Sequence, residues 1–449
     1  MEAPRITKVD NATPIALARR LCCYQIERAA TRRRCVAHHE NCPINVNMRN
    51  VLRFLLFLVF VPVSASLARA AAPEDRAPLS DRPAVAGKVI RVGASREIRT
   101  LRAAAKIARD GDTIEVDSGD YEGDSAVWTQ NDLVIRGIGT RPRLVADGVN
   151  AAEGKGIFVI KGNDVTIDNL GFFGARVRDR NGAGIRLDRG RLKVIRCVFE
   201  GNENGILTSN NPSVELLVSD STFLNNGAGD GYSHHLYAGR IAALEVRGTY
   251  FGPARKGHLL KSRAQTTSVL YSRLTGEDGS SSYEIDVPNG GSFRAVGNLI
   301  QQGNQTENHT LISYGAEGYK WTTNHAQIAF NTLVNDRAQG GVFIQMRSGA
   351  ADAVISNNIL VGRGALDVKA PASIERNVQA RAVDFADPSK FDYRLRVGSK
   401  LVGTAGAAGS FNKEDRPSSE YRHLAAPNEL VDLTELTPLS PGAFQRLTR

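Results

Sequence analysis

Between residues 230 and 347 the sequence gathers side chains that can move protons and hold anions. They fall in DGYSHHLYAGR at 230–240, GHLLKSRA at 257–264, SSYEIDVPNGG at 281–291, the run through YGAEGYKW to Trp321, and VFIQMRS at 342–348. A merely soluble face would be charged without being so rich in His, Tyr and paired signs. Such a set suits β-elimination on a uronate polymer, which removes the C5 proton and expels the sugar linked at C4. Three tasks are required. A cation must neutralise the uronate carboxylate so that the C5 proton becomes removable. A base must take that proton: Lys261, provided the neighbouring Arg263 charge favours its neutral form, or else His235 or His258. An acid must protonate the leaving oxygen, a task within reach of Tyr237 or Arg263. Glu284 and Asp286 could hold a calcium ion bridging to the substrate carboxylate. Tyr283, Tyr314, Tyr319 and Trp321 offer ring faces to pyranose C–H groups, and Gln345 and Arg347 offer polar contacts. The same residues also have plain readings. Lys261, Arg263, Glu284 and Asp286 could form a solvated ladder of ion pairs, which contributes little. The rings at 314, 319 and 321 could simply anchor a long loop.

These groups share one surface only if the chain brings them into register. Strand alternation points Leu236, Ser262, Ile285 and Ile312 inward, and His235/Tyr237, Lys261/Arg263 and Glu284/Asp286 outward. Tyr237 to Arg263 is 26 residues, Lys261 to Asp286 is 25 and Ile285 to Ile312 is 27. One coil apart in sequence would then be one rung apart in space, and a slip of one residue would reverse every orientation.

The coil itself is read from a repeated phrase: an alternating strand, an apolar residue, then Gly or Asn. Its marker residues are Phe172, Phe199, Phe223, Phe251, Leu274, Ile300, Leu333 and Leu360, at gaps of 27, 24, 28, 23, 26, 33 and 27. A drifting period in the twenties is the mark of stacked β coils, and the pattern L-x-x-L-x-L that a leucine-rich repeat demands is absent. One coil cannot bury its own apolar side, so stacking makes the core. The long gap holds an insertion over 303–321. Asn298, Asn331 and Asn358 each stand two residues before a marker and are expected to form a structural amide ladder. Leu101, Ala104, Ala105 and Ala108 recur at helical spacing, predicting a helix over Arg99–Arg109 that caps the open end of the solenoid. The expected fold is all-β, a right-handed parallel β-helix with a short N-terminal capping helix.

Composition supports this. The 449 residues include 43 glycines and only 6% aromatics, a turn-rich β profile. The net charge of +10 is uneven: residues 1–70 hold 11 Lys or Arg against 4 Asp or Glu, and the other 379 hold 46 against 43. The body is therefore close to neutral, which argues against a nucleic-acid partner. Four of the five cysteines precede residue 48 in a spacing that fits no zinc pattern, leaving Cys197 alone in the body.

Residues 48–72 carry Arg49 and Arg53, an apolar run from Leu55 to Val63 and an Ala68-Arg69-Ala70 cleavage signal, the layout of a signal peptide. The run is shorter than the roughly 20 residues that span a bilayer, so no stable membrane insertion is expected after cleavage. Residues 1–47 then read as an over-extended start, 73–88 as a linker, 89–406 as the β-helix and 407–449 as a C-terminal tail that either packs along the rod or frays. A periplasmic or secreted location follows.

The cap helix, the GDTIEV…GDY opening, the coil phrases and the closing FDYRLRVGSKLVG resemble the pectate-lyase-like right-handed parallel β-helix superfamily over about residues 88–406. The resemblance implies a carbohydrate-active protein with an acidic polysaccharide as partner. Lyases of that fold use Lys or Arg bases, often with calcium. The galacturonan hydrolase pattern is incomplete, since Gly257-His258 lacks the second glycine and no Asp-Asp or R-I-K element is present. Pectin methylesterase is disfavoured because no Asp pair aligns with Gln301-Gln302. The alternatives to a lyase are a hydrolase or epimerase of the same fold, and a non-catalytic glycan-binding or surface-interaction rod.

Overall fold

The computed structural model describes residues 87–148, 151–349, 352–406, 416–422, 430–433 and 438–447. The expected signal peptide and the segments flanking it, through residue 86, lie outside the described residues. Three parallel sheets carry the fold: sheet A with 12 strands, sheet B with 11 and sheet C with 10. The first two strands both lie in sheet A; from the second onward successive strands fall in A, B and C in turn, so the chain winds through the three sheets once per coil. The winding is that of a right-handed parallel β-helix. The helix at Leu101–Ile107 is two residues shorter at each end than expected. Thr100 caps it through Ala103 N–H, and Asp124 accepts the Leu101 and Arg102 N–H groups at 2.5 and 3.0 Å. Among the described residues, no helix is long and apolar enough to cross a membrane.

The marker residues form a single inward column of sheet B, paired from Phe172 through Leu360 without a slip. Phe172, Phe199, Phe223 and Phe251 stack with centroids 5.0, 4.7 and 4.7 Å apart and nearly parallel planes. A parallel in-register sheet places like rings face to face, and their burial holds adjacent coils together.

The asparagine ladder stands at the turn between sheets A and B. Asn298 donates to Asn331 at 2.9 Å, Asn331 to Asn358 at 3.0 Å, and Asn358 to Asn377 at 2.8 Å. Each amide also donates to a backbone carbonyl of its neighbouring coil, as Asn331 does to Ala295. Asn331→Ala would remove the acceptor of the Asn298 backbone and side-chain N–H groups and the donor to the Ala295 carbonyl, while the Asn358 oxygen keeps the backbone N–H of residue 331. It is expected to cost about 2–4 kcal/mol, read as a lower urea midpoint with an unchanged slope.

The last sheet strand ends at Ala380, and two short antiparallel hairpins follow. Tyr393 and Tyr421 of these pairs, with Phe444 near the C-terminus, pack with Leu299, Val334 and Ile359 on the outside of sheet B.

Candidate active site

Three central strands of sheet C, Leu236–Ala238, Leu260–Ser262 and Ile285–Val287, build the site. Leu236, Leu260, Ile285 and Ile312 are register partners and fully buried, so they are the inward column. The residue after each faces out: Tyr237 pairs with Lys261, Lys261 with Asp286, Asp286 with Ser313, and Ser313 with Gln345. The expected alternation holds for Tyr237, Lys261 and Asp286 but not for His235 and Glu284, which are buried, and Leu260, not Ser262, is level with Leu236. Lys261 therefore stands one rung, about 4.8 Å, from both Tyr237 and Asp286. Arg263 lies just past its strand end and reaches back to the same patch.

Lys261 Nζ is 3.2 Å from Asp286 Oδ2 and 3.8 Å from Glu317 Oε1. The Arg263 guanidinium donates through Nε to Tyr237 Oη at 2.9 Å and through Nη1 to Asn289 Oδ1 at 2.7 Å. It also grips Glu317 with both terminal nitrogens, at 2.5 and 2.9 Å. Trp321 Nε1 donates to the Arg263 carbonyl at 3.3 Å, and the Arg240 guanidinium lies over the Trp321 ring. The patch thus has Tyr237, Lys261 and Asp286 in a row, with Arg263 and Trp321 along one side.

The other side is a pair of stacked imidazoles. His234 and His258 lie on successive coils with centroids 4.5 Å apart. His234 Nδ1 accepts the His258 amide at 2.9 Å and His258 Nδ1 accepts the Tyr283 amide at 3.3 Å. Each neutral ring therefore carries its proton on Nε2. His258 Nε2 is 3.5 Å from Asp286 Oδ2, and the Tyr283 ring packs against His258. Burial, aided by the charges of Lys261 and Arg263, pushes His258 down to about 3. His258 is thus a neutral donor facing Asp286 and has no free lone pair to act as a base.

Burial raises the Asp286 carboxyl above its usual range, against the opposing pull of Lys261. The adjacent Ser313 hydroxyl also acts to lower it, yet neither Asp286 Oδ1 nor Ser313 Oγ closes a well-formed hydrogen bond. Asp286 therefore has room to accept a proton.

Several expected placements are corrected. His235 is fully buried among Phe223 and Phe251, with Nδ1 on Asn226 and Nε2 on the Gly252 carbonyl, so it cannot be a base in the groove. Glu284 is also fully buried, beside Gln302 and Ser281, and burial holds its carboxyl well above the usual range. Both residues precede a three-residue strand, where alternation no longer governs direction. Tyr314 is a core residue whose hydroxyl donates to the Gly291 carbonyl. Tyr319 anchors the loop: its hydroxyl donates to the Arg347 carbonyl, and its ring fills the space beside Gly290, Gly315 and Gly349. Gln345 stands on the outer row and donates to Asp367, and Arg347 is exposed beyond it.

The calcium expectation does not fit these residues. Glu284 points away from Asp286 into the interior, and Asp286 already faces Lys261. Among the described residues, no three His, Cys, Asp or Glu side chains are grouped to hold a metal ion. Sequence reasoning missed His234, Asn289 and Glu317. His234 was legible, because its distance of 24 residues to His258 equals the Leu236–Leu260 spacing. Asn289 and Glu317 lie outside the strands and carry no such signal.

No family model matches the chain, and no curated protein matches it. Solved structures do. The crystal structure of pectate lyase Pel9A is 11% identical, with a TM-score of 0.48 over 80% of this chain and 96% of that one. ORF18 of Geobacillus virus E2 is 12% identical, with a TM-score of 0.41 over 62% and 55%. A PL6 alginate lyase in complex with a trisaccharide is 14% identical, with a TM-score of 0.33 over 61% and 71%.

The buried histidines give the fold a pH dependence. Burial lowers His235 from 6.5 to about 4. The unfolded chain therefore takes up a proton below about pH 6.5 that the folded chain refuses until about pH 4. Stability is fully present above the upper value and falls as pH drops, by roughly 3 kcal/mol from His235 alone on reaching the lower one. Urea titrations at pH 7.5 and pH 4.5, both choices of condition, are expected to show this loss, and it should shrink in His235→Asn.

Proposed function

We propose that the protein is an exported lyase that cleaves a uronic-acid-containing glycan by β-elimination. The observation that supports this reading is the alignment of Tyr237, Lys261 and Asp286 on successive rungs, with Arg263 hydrogen-bonded to Tyr237. Arg263 pairs with the uronate carboxylate and stabilises the charge that develops when C5 loses its proton. The Lys261 ammonium first passes a proton to Asp286, whose raised carboxyl accepts it once substrate excludes water. The resulting amine takes the C5 proton. The freed electron pair forms the C4–C5 double bond as the C4–O bond breaks. Tyr237, polarised by Arg263, gives its hydroxyl proton to the leaving oxygen. Trp321 and Tyr283 offer ring faces to flanking sugars. The signal-peptide pattern at 48–72 supports action outside the cytoplasm, where acidic polysaccharides are met.

Mass analysis of oligosaccharides released from pectate, alginate and glycosaminoglycan tests this reading. The expected products carry an unsaturated non-reducing end, lighter by one water than hydrolysis products. Saturated products would assign a hydrolase, C5-inverted polymer an epimerase, and binding without any product a glycan-binding rod.

A further inference from the structure

The carboxylate of Glu317 holds a place that chemistry assigns to a substrate. It makes a two-pronged contact with Arg263 and stands 3.8 Å from Lys261, and those two cations are otherwise enclosed, with side chains 19% and 12% exposed. Glu317 itself is 47% exposed. Glu317 is the exposed partner of this fork, so its place is where solvent meets the two cations. We propose that Arg263, Lys261 and Asn289 form a uronate-carboxylate subsite, and that Glu317 is its internal occupant, displaced when the sugar binds. The proposal rests on the uronate reading above.

The fork does not depend on its occupant. Arg263 Nε is fixed by Tyr237, Nη1 by Asn289, and the Arg263 carbonyl by Trp321. The guanidinium plane is thus set by groups that stay in place when Glu317 leaves. The Glu317 backbone is pinned as well. Gly315 N–H donates to the Val287 carbonyl, Glu317 N–H to Pro288 and Lys320 N–H to Asn289. Rotation of one exposed side chain, without opening the loop, clears the site. Lys320, whose charge already acts on Glu317, offers the displaced carboxylate a partner in solvent. A half-exposed ion pair is weak enough to exchange, whereas the arriving sugar adds ring and hydroxyl contacts. Occupation by Glu317 also sets selectivity: a neutral sugar brings hydroxyl acceptors but no charge, so displacing the carboxylate would leave the Arg263 charge without a counter-ion.

Titration by nuclear magnetic resonance with galacturonate, mannuronate and glucuronate tests the proposal, with galactose, mannose and glucose as neutral controls. These monosaccharides have no glycosidic bond to cleave, so binding is read apart from catalysis. Glu317→Gln and Glu317→Ala are expected to bind at least one uronate about threefold to tenfold more tightly than the unaltered protein, with the neutral sugars unchanged. Arg263→Ala in the Glu317→Gln background should abolish the gain. Uronate affinity that is unchanged, lower or absent in both variants would overturn the proposal. Polymer cleavage measured in parallel separates the two readings. Unsaturated product with no affinity gain leaves the lyase standing and removes the Glu317 exchange. An affinity gain with no product from any polymer leaves the subsite and removes the lyase.

Discussion

Lys261→Ala is expected to lower kcat for elimination by about 10²–10⁴, the usual contribution of a positioned base. The fold should survive, because Lys261 lies on the outer row of sheet C, level with Tyr237 and Asp286, and contributes nothing to the inward column. Lys261→Arg should recover little of the loss: a guanidinium restores the charge beside Asp286 but parts with a proton far less readily than an ammonium. A charge-only role would instead predict rescue by arginine, so the pair of variants separates base from electrostatic anchor. Asp286→Asn supplies the complementary result. It leaves Lys261 in place but removes the group that receives its proton. Activity should fall by about tenfold or more, measured as the initial rate of product formation on a uronate polymer; an unchanged rate would mean that Asp286 does not receive that proton.

Arg263→Ala is expected to reduce kcat/KM on a uronate polymer by about 10²–10³, comparable to removing one charge-stabilising donor from an active site. Most of the loss should be in kcat, because the carboxylate draws on the guanidinium most strongly once C5 has lost its proton. Arg263→Lys should recover little. It restores a positive charge but cannot hold Tyr237, Asn289 and a carboxylate at once, as the guanidinium does through Nε, Nη1 and Nη2. A loss confined to KM would mean that Arg263 only binds the polymer and that charge stabilisation at C5 comes from elsewhere.

The coil was legible because each marker residue does the same job on every rung. Phe172 to Leu360 stack on one another, and only an apolar side chain at that position closes the core. The asparagine ladder was legible for a related reason: an amide both donates and accepts, so Asn298, Asn331 and Asn358 can repeat without a foreign partner. The site was legible in parity and less so in register. Coil length varies through loops, and strands of three residues give alternation little to act on. Lys261 came out level with Tyr237 because that coil takes 24 residues rather than 26. His235 and Glu284 were misplaced because they sit in the turn before the strand, where a side chain follows turn geometry into the core. Glu317 comes from the long insertion, with no counterpart on neighbouring coils. Only the folded loop shows that it returns to Arg263, 54 residues earlier in the chain.

The most direct measurement is ultraviolet absorbance of the conjugated unsaturated uronate during incubation with pectate, alginate and glycosaminoglycan. The groove is predicted to raise that absorbance on at least one polymer, and Lys261→Ala and Arg263→Ala to abolish it while remaining folded. A flat trace across the panel, or a rise that both variants retain, would contradict the assignment of β-elimination to this patch.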